Sequence, residues 1–298
     1  MKGGQHAAAS LPAADPQVNR RVTRRGVRRS LGRAAMYLAM VVAVAMFAFP
    51  LLWIVLTSFK TRLDILHDPP LFFFRGTLDN YKALLEDGFT KYLLNSVIVV
   101  ACSTILAVGI GSFAAYALAR YKTRASNQTG FWILSQRMFP PISIIIPLFL
   151  IMNAVMLKNT LFSVILVYTL FNLPLAVWVM KSFFEEIPVE LEESAMIDGH
   201  SFFTTFRRVI LPLAAPGIVT ATVLSVIFTW NEFLFALILT NENTKTMPVA
   251  AITYIGARGV EWGKMTAAAT VIMLPILVLL LFIHKRLAKG LTYGAIKG

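Results

Sequence analysis

The sequence predicts an all-α, polytopic membrane protein with six transmembrane helices and one long cytoplasmic loop that is itself helical. Three observations predict it. Of 298 residues, 57% are hydrophobic and only 14% charged, against about a quarter charged in soluble domains. Six stretches lack Asp, Glu, Lys and Arg: 34 to 59, 92 to 119, 138 to 157, 159 to 180, 209 to 231 and 265 to 283. Each is about 19 residues or longer, enough at ~1.5 Å per residue to cross a hydrocarbon core of about 30 Å. Helices follow because lipid offers backbone amides and carbonyls no hydrogen-bond partner. The third observation is the placing of basic residues, taken up below.

Residues 1 to 30 are rich in Ala, Arg, Gly and Pro and poor in large apolar side chains, so this basic tail is expected to be disordered and cytoplasmic. Residues 31 to 298 form the transmembrane domain. Arg20 and Arg21 resemble a twin-arginine signal, but the apolar stretch after them exceeds a signal peptide's core and reads as an uncleaved first helix. The formal charge of +13 does not make this a nucleic-acid-binding protein. Its basic residues sit in the tail and beside the apolar runs, where topology and anionic lipid account for them.

Cys102, the sole cysteine, lies within the second run and reads as a small packing residue. The third run holds Pro140, Pro141 and Pro147, which predicts a kinked or late-starting helix. Arg137 at its start is expected to reach the cytoplasmic interface, since a guanidinium at mid-membrane is costly. Assigning alternate connections to alternate sides puts 19 basic residues on the side of the N-terminus and 9 on the other. Basic residues are retained inside, so both termini are expected in the cytoplasm.

No phosphate-binding loop, metal-spaced histidine pair or nucleophile and base set stands in the sequence. The chain is therefore expected to bind no cofactor or metal and to catalyse nothing itself. Chemistry is replaced by a signal in the loop EEIPVELEESAMIDGHSFFTTFRRVILPLAAPG, residues 185 to 217. Pro188 suits a helix start, Glu190, Glu192 and Glu193 oppose the positive end of its dipole, and Gly199 suits its left-handed end. Leu191, Ala195 and Asp198 are expected to share an outward stripe. An acidic helix is repelled by anionic lipid, so a protein partner is expected.

Glu193, Ser194 and Ala195, followed at fixed spacing by Gly199 and then by Val209, Leu211 and Pro212, resemble the E-A-A loop of the membrane subunits of binding-protein-dependent ABC importers. FTWNEFLFALIL from Phe228, RMFPPISIIIPLF from Arg137 and the terminal GLTYGAIKG resemble the carbohydrate branch, in particular the maltose-type second permease. The resemblance implies a heterodimer with a second permease subunit, two copies of a cytoplasmic ABC ATPase that carry ATP and Mg, and an extracytoplasmic solute-binding protein. The whole would sit in a bacterial inner membrane and import a sugar or oligosaccharide. It further implies that residues 185–212 form a coupling loop, with Glu193, Ser194, Ala195, Asp198, Gly199, Leu211 and Pro212 facing the ATPase. Trp230, Asn231 and Glu232 would border the substrate path. Tyr254, Gly256, Arg258 and Gly259 would form a loop touching the binding protein, and the tail would lie near the ATPase interface.

Overall fold

The computed structural model describes residues 16–121, 123–257 and 259–293. Contacts divide the chain into two units, one ending at Ile54 and one beginning at Val55. The described residues of the first unit are helical. Helix α1 runs Pro16–Ser58, so residues 16–30 differ from the expected disorder. Pro16 starts the helix where its missing amide proton costs nothing, and no proline interrupts it before Pro50. Residues 1–15 lie outside the described residues. Ala35–Ser58 has the length and apolarity of a membrane span.

The second unit contains α2 (Asp79–Glu86), α3 (Phe89–Arg120), α4 (Arg124–Met138), α5 (Pro141–Ala154), α6 (Leu161–Glu186), α7 (Glu190–Ile197), α8 (Phe202–Leu213), α9 (Ala215–Trp230), α10 (Leu234–Leu239), α11 (Met247–Ala251) and α12 (Trp262–Tyr293). Among the described residues four helices are long and apolar enough to cross a membrane, or up to six spans if two bent pairs each count as one. Those pairs are α4 with α5, bent by 97°, and α8 with α9, bent by 75°. The first break falls at Phe139 and Pro140, and α5 starts at Pro141. This is the late start that the prolines predict, because proline crowds the residue before it out of the α conformation.

Helices α3 and α6 form the centre. They approach so closely at Gly111 that a Cβ there would lie 2.8 Å from the Cβ of Ala176. Ser103, Ala107, Ala115 and Ala119 continue this buried, small-residue face, the usual means of close helix contact in lipid. Three apolar clusters surround it. One joins Tyr116, Met180, Phe184, Phe206 and Ile210; a second, Val99, Ile145, Tyr168, Phe235 and Leu239; a third, Leu84, Phe89, Trp230, Met247 and Tyr254. Cys102 sits on the exposed side of α3, not in the packed face expected for it.

Two buried asparagines tie their helices to neighbouring elements, as amides in a low-dielectric interior need partners. Asn172 on α6 donates to Thr229 Oγ1 at 2.8 Å, and Asn95 on α3 donates to the carbonyls of Asn243 and Lys245 at 3.1 and 3.0 Å. The described residues of the 240–264 connection have structure of their own. They form α11, a turn Ile252–Tyr254 and a hairpin of β1 (Ile255–Gly256) with β2 (Gly259–Val260). Helix α12 continues through Gly290 to Tyr293. Residues 294–298 lie outside the described residues.

Candidate coupling site

Helix α7 begins at Glu190, two residues after Pro188, with Glu190, Glu192 and Glu193 in its first turn. It ends as its sequence requires. Gly199 takes φ 87°, the His200 amide donates to the Ala195 carbonyl at 3.1 Å, and the Gly199 amide donates to the Met196 carbonyl at 3.0 Å. This is a Schellman closure, which satisfies carbonyls that a helix end otherwise leaves orphaned. A Cβ on Gly199 would meet open space, so the constraint on that residue is its backbone conformation and not crowding. The chain then re-enters helix at α8, where Ser201 Oγ accepts from the Thr204 amide. A π turn spans Phe206–Ile210 before the bend into α9.

What holds α7 to the bundle is a buried charge cluster. Arg120, on the last turn of α3, donates from Nε to Glu192 Oε1. Its Nη1 donates to the Phe184 carbonyl at 2.8 Å and its Nη2 to the Ile187 carbonyl at 3.0 Å. Tyr116 Oη donates to Glu192 Oε2 at 2.7 Å. The Arg120 and Glu192 side chains are 10% and 7% exposed. One guanidinium thus joins α3, the carbonyl end of α6 and the acidic face of α7. That end of α6 carries the negative pole of its dipole, which favours a cation. The planar fork of arginine suits three acceptors at once, where lysine's point charge does not. Around it Tyr116 packs on Phe184, Phe202 and Phe206 with ring centroids 5.5, 5.6 and 4.9 Å apart. A cavity of about 600 Å³ opens beside the cluster, lined by Arg120, Glu186, Pro188, Glu190, Glu192 and Met196 among others.

The two faces of α7 therefore differ from the expected stripe. Ala195 is buried against its own chain, like Glu192, whereas Leu191 and Asp198 are exposed. Helical geometry puts Glu192 and Ala195 on one side, and the bundle took that side because it carries the carboxylate Arg120 needs. Glu193, Ser194, Asp198 and Gly199 face outward with Ile197, which is 85% exposed. Among the described residues Glu193 makes no ion pair. Further on, Leu211 packs partly against the Tyr116 cluster and Pro212 is exposed. The loop sequence singles out Glu193 but not Glu192 or Arg120, whose pairing across 72 residues leaves no local spacing to read.

The other expected site residues divide in the same way. Trp230 is 5% exposed and donates from Nε1 to the Ile272 carbonyl at 3.0 Å, so it is packed inside the chain. Its ring completes the third cluster because α9, α3 and α12 converge there. Asn231 is exposed. The Glu232 carboxylate accepts from the amides of Phe235 at 3.1 Å and Ala236 at 3.4 Å and so caps α10. Tyr254 is buried, whereas Gly256 and Gly259 are exposed in the hairpin, Gly259 with φ 106°. Arg258 lies outside the described residues. Burial first, and then the Asp87 carboxylate, raise the Tyr254 phenol above its ordinary pKa.

Fold and loop together define a polytopic membrane protein with a short acidic helix fixed to its bundle by a buried ion pair. Residues 107–293 match the family described as the binding-protein-dependent transport system inner membrane component. The trehalose transport system permease protein of Mycobacterium tuberculosis is 41% identical over 263 residues, 87% of this chain and 95% of that protein. The trehalose/maltose transport system permease protein of Thermococcus litoralis is 35% identical over 255 residues, 84% and 91% of the two chains. In fold the chain is similar to a subunit of a bacterial ABC transporter involved in alginate import, with TM-score 0.73 and 22% identity over 86% of this chain and 96% of that one. The chain belongs to the family of binding-protein-dependent transport system inner membrane components. It is a membrane subunit of a transporter and not an enzyme.

Proposed function

We propose that this chain is one of two membrane subunits of an ATP-driven importer and passes a sugar or oligosaccharide delivered by an external solute-binding protein. The observation that carries this reading is α7. It is fixed to α3 and α6 through Arg120 and Glu192, yet presents Glu193, Ile197, Asp198 and Gly199 outward. A helix that is stiff on its own side and open on the other transmits force from a docked partner. The partner proposed is a cytoplasmic ABC ATPase, in two copies, where ATP and Mg bind and supply the energy. Closure of that dimer would move α7, and with it α3 and α6, as one body between inward and outward access. The sugar class is supported by relatives named for trehalose, maltose and diacetylchitobiose transport. The excess of basic residues on one side supports a bacterial inner-membrane topology with both termini cytoplasmic and the basic tail beside anionic lipid.

The test is a pull-down of the ATPase paired with sugar uptake. Glu193→Lys places repulsion where a carboxylate is available to a basic group. Gly199→Asp adds a Cβ at positive φ and disturbs the helix closure. Both variants are expected to insert in the membrane, to retain the ATPase weakly and to take up no sugar. Full retention with full uptake in both would refute the coupling role.

A further inference from the structure

We infer that Arg137, with Phe228 and Asn231, lines the solute path at mid-membrane depth and contacts the hydroxyl groups of the passing solute. This rests on the sugar-import reading for the solute's class, but not for the position of the residues.

Depth is fixed by two helices independently. Arg137 lies in the turn Gln136–Met138 at the break between α4 and α5, with its guanidinium 4.8 Å from the centroid of the Phe228 ring. Phe228 is 13 residues into α9, or about 20 Å from the coupling-loop end. The next residue, Thr229, accepts from Asn172, which stands 11 residues from one end of α6 and 14 from the other, roughly 17 and 21 Å. Arg137 is thus close to the middle of the membrane and not at the interface where its sequence position suggested. Its removal from the inner tally of basic residues leaves the sign of that tally unchanged.

A guanidinium at that depth cannot face hydrocarbon at small cost, and intramembrane charges face a partner or a watery cavity. Among the described residues Arg137 forms no ion pair and no hydrogen bond, and its guanidinium stands over the Phe228 ring. It is exposed on this chain, as are Phe228 at 49% and Phe139 at 55%. Asn231 follows Phe228 by three residues, on the same side of the helix. Its Nδ2 donates to the Ile227 carbonyl at 2.8 Å, which leaves Oδ1 to accept. A fork of donors, an amide oxygen and an aromatic ring make a set suited to a neutral polyol: hydroxyls for the first two, the apolar face of a pyranose for the ring. The other occupant that would satisfy the charge is a carboxylate of the second membrane subunit. The set favours the solute because only the charge, and neither the ring nor the amide, is explained by a carboxylate.

The experiment uses the assembled complex with its ATPase and binding protein. In a Cys102→Ser background, Arg137→Cys is treated with a charged, water-soluble methanethiosulfonate. Separately, Arg137→Gln and Arg137→Lys are tested for uptake of radiolabelled trehalose, maltose and diacetylchitobiose and for retention of the partner membrane subunit. We expect modification of the cysteine, slowed by transported sugar. Uptake should fall about tenfold in Arg137→Gln, the scale of one lost charged hydrogen bond, and less in Arg137→Lys, with the partner subunit retained in both. An unmodified cysteine, or full uptake by Arg137→Gln, overturns the inference. Loss of the partner subunit in Arg137→Gln also overturns it, by assigning the charge to the subunit interface. A wild-type complex that imports none of the three sugars while Arg137→Cys is still modified overturns the sugar class and leaves the path position standing.

Discussion

Neutralising Glu192 should loosen α7 from the bundle without removing any group that a partner could touch. In Glu192→Gln, the Arg120 guanidinium keeps the Phe184 and Ile187 carbonyls but loses its counter-charge in a site where both side chains are at most 10% exposed. Breaking one side of a buried pair costs about 3 to 5 kcal/mol, and at about 1.4 kcal/mol per factor of ten even the lower figure raises local opening roughly 100-fold. Arg120→Met should cost at least as much, since it also strands the two carbonyls at the end of α6. Arg120→Lys should rescue only in part, because an ammonium cannot reach all three acceptors in one plane. Limited trypsin cleavage after the exposed Arg207 and Arg208 reports the opening, because proteolysis follows the population of the open form. Sugar uptake and ATPase retention are measured on the same preparations. The double variant Arg120→Met with Glu192→Met should open less than the sum of its parts, as a buried pair replaced by packed apolar groups leaves no stranded charge. Wild-type cleavage, retention and uptake in both Glu192→Gln and Arg120→Met would refute the claim that this pair carries the movement of α7.

Tyr254 gives a pH dependence whose sign is fixed. Its phenol is raised above the ordinary tyrosine value, so the neutral form is favoured in the fold; its contribution is full below about pH 10 and is lost above it, and hairpin proteolysis should rise there in wild type but not in Tyr254→Phe. Gly111→Leu should separate α3 from α6, since even a Cβ would fall 2.8 Å from Ala176; a loss of about 1 to 3 kcal/mol should appear as a lowered melting temperature, and an unchanged one would contradict the close contact. Deleting residues 255–260 should impair binding-protein-dependent uptake while leaving insertion intact, and undiminished uptake would show the hairpin to be only a connector. With Cys102→Ser, cysteines at positions 25 and 295 should be protected from an impermeant external reagent; labelling of position 25 in intact cells would reverse the topology.

The sequence by itself determined the class, because bilayer thickness and backbone hydrogen bonding leave an apolar run of that length one conformation. It also determined the late start at Pro141 and the closure at Gly199, since proline and positive φ act within a few residues of themselves. The exposure of Glu193 and Asp198 followed from the same local motif. Only the tertiary structure decided which face of α7 is turned inward, for that depended on Arg120, a charge 72 residues away in the chain. In the same way it buried Trp230 and Tyr254, which read as surface aromatics until α3, α9 and α12 met around them. It set Arg137 over the Phe228 ring of α9 because the chain turns sharply between α4 and α5, and a run of apolar residues does not state where along it the helix turns. Periodicity and turn chemistry are local and therefore legible; burial and charge pairing are properties of distant segments brought together, and they exist only once the helices have packed.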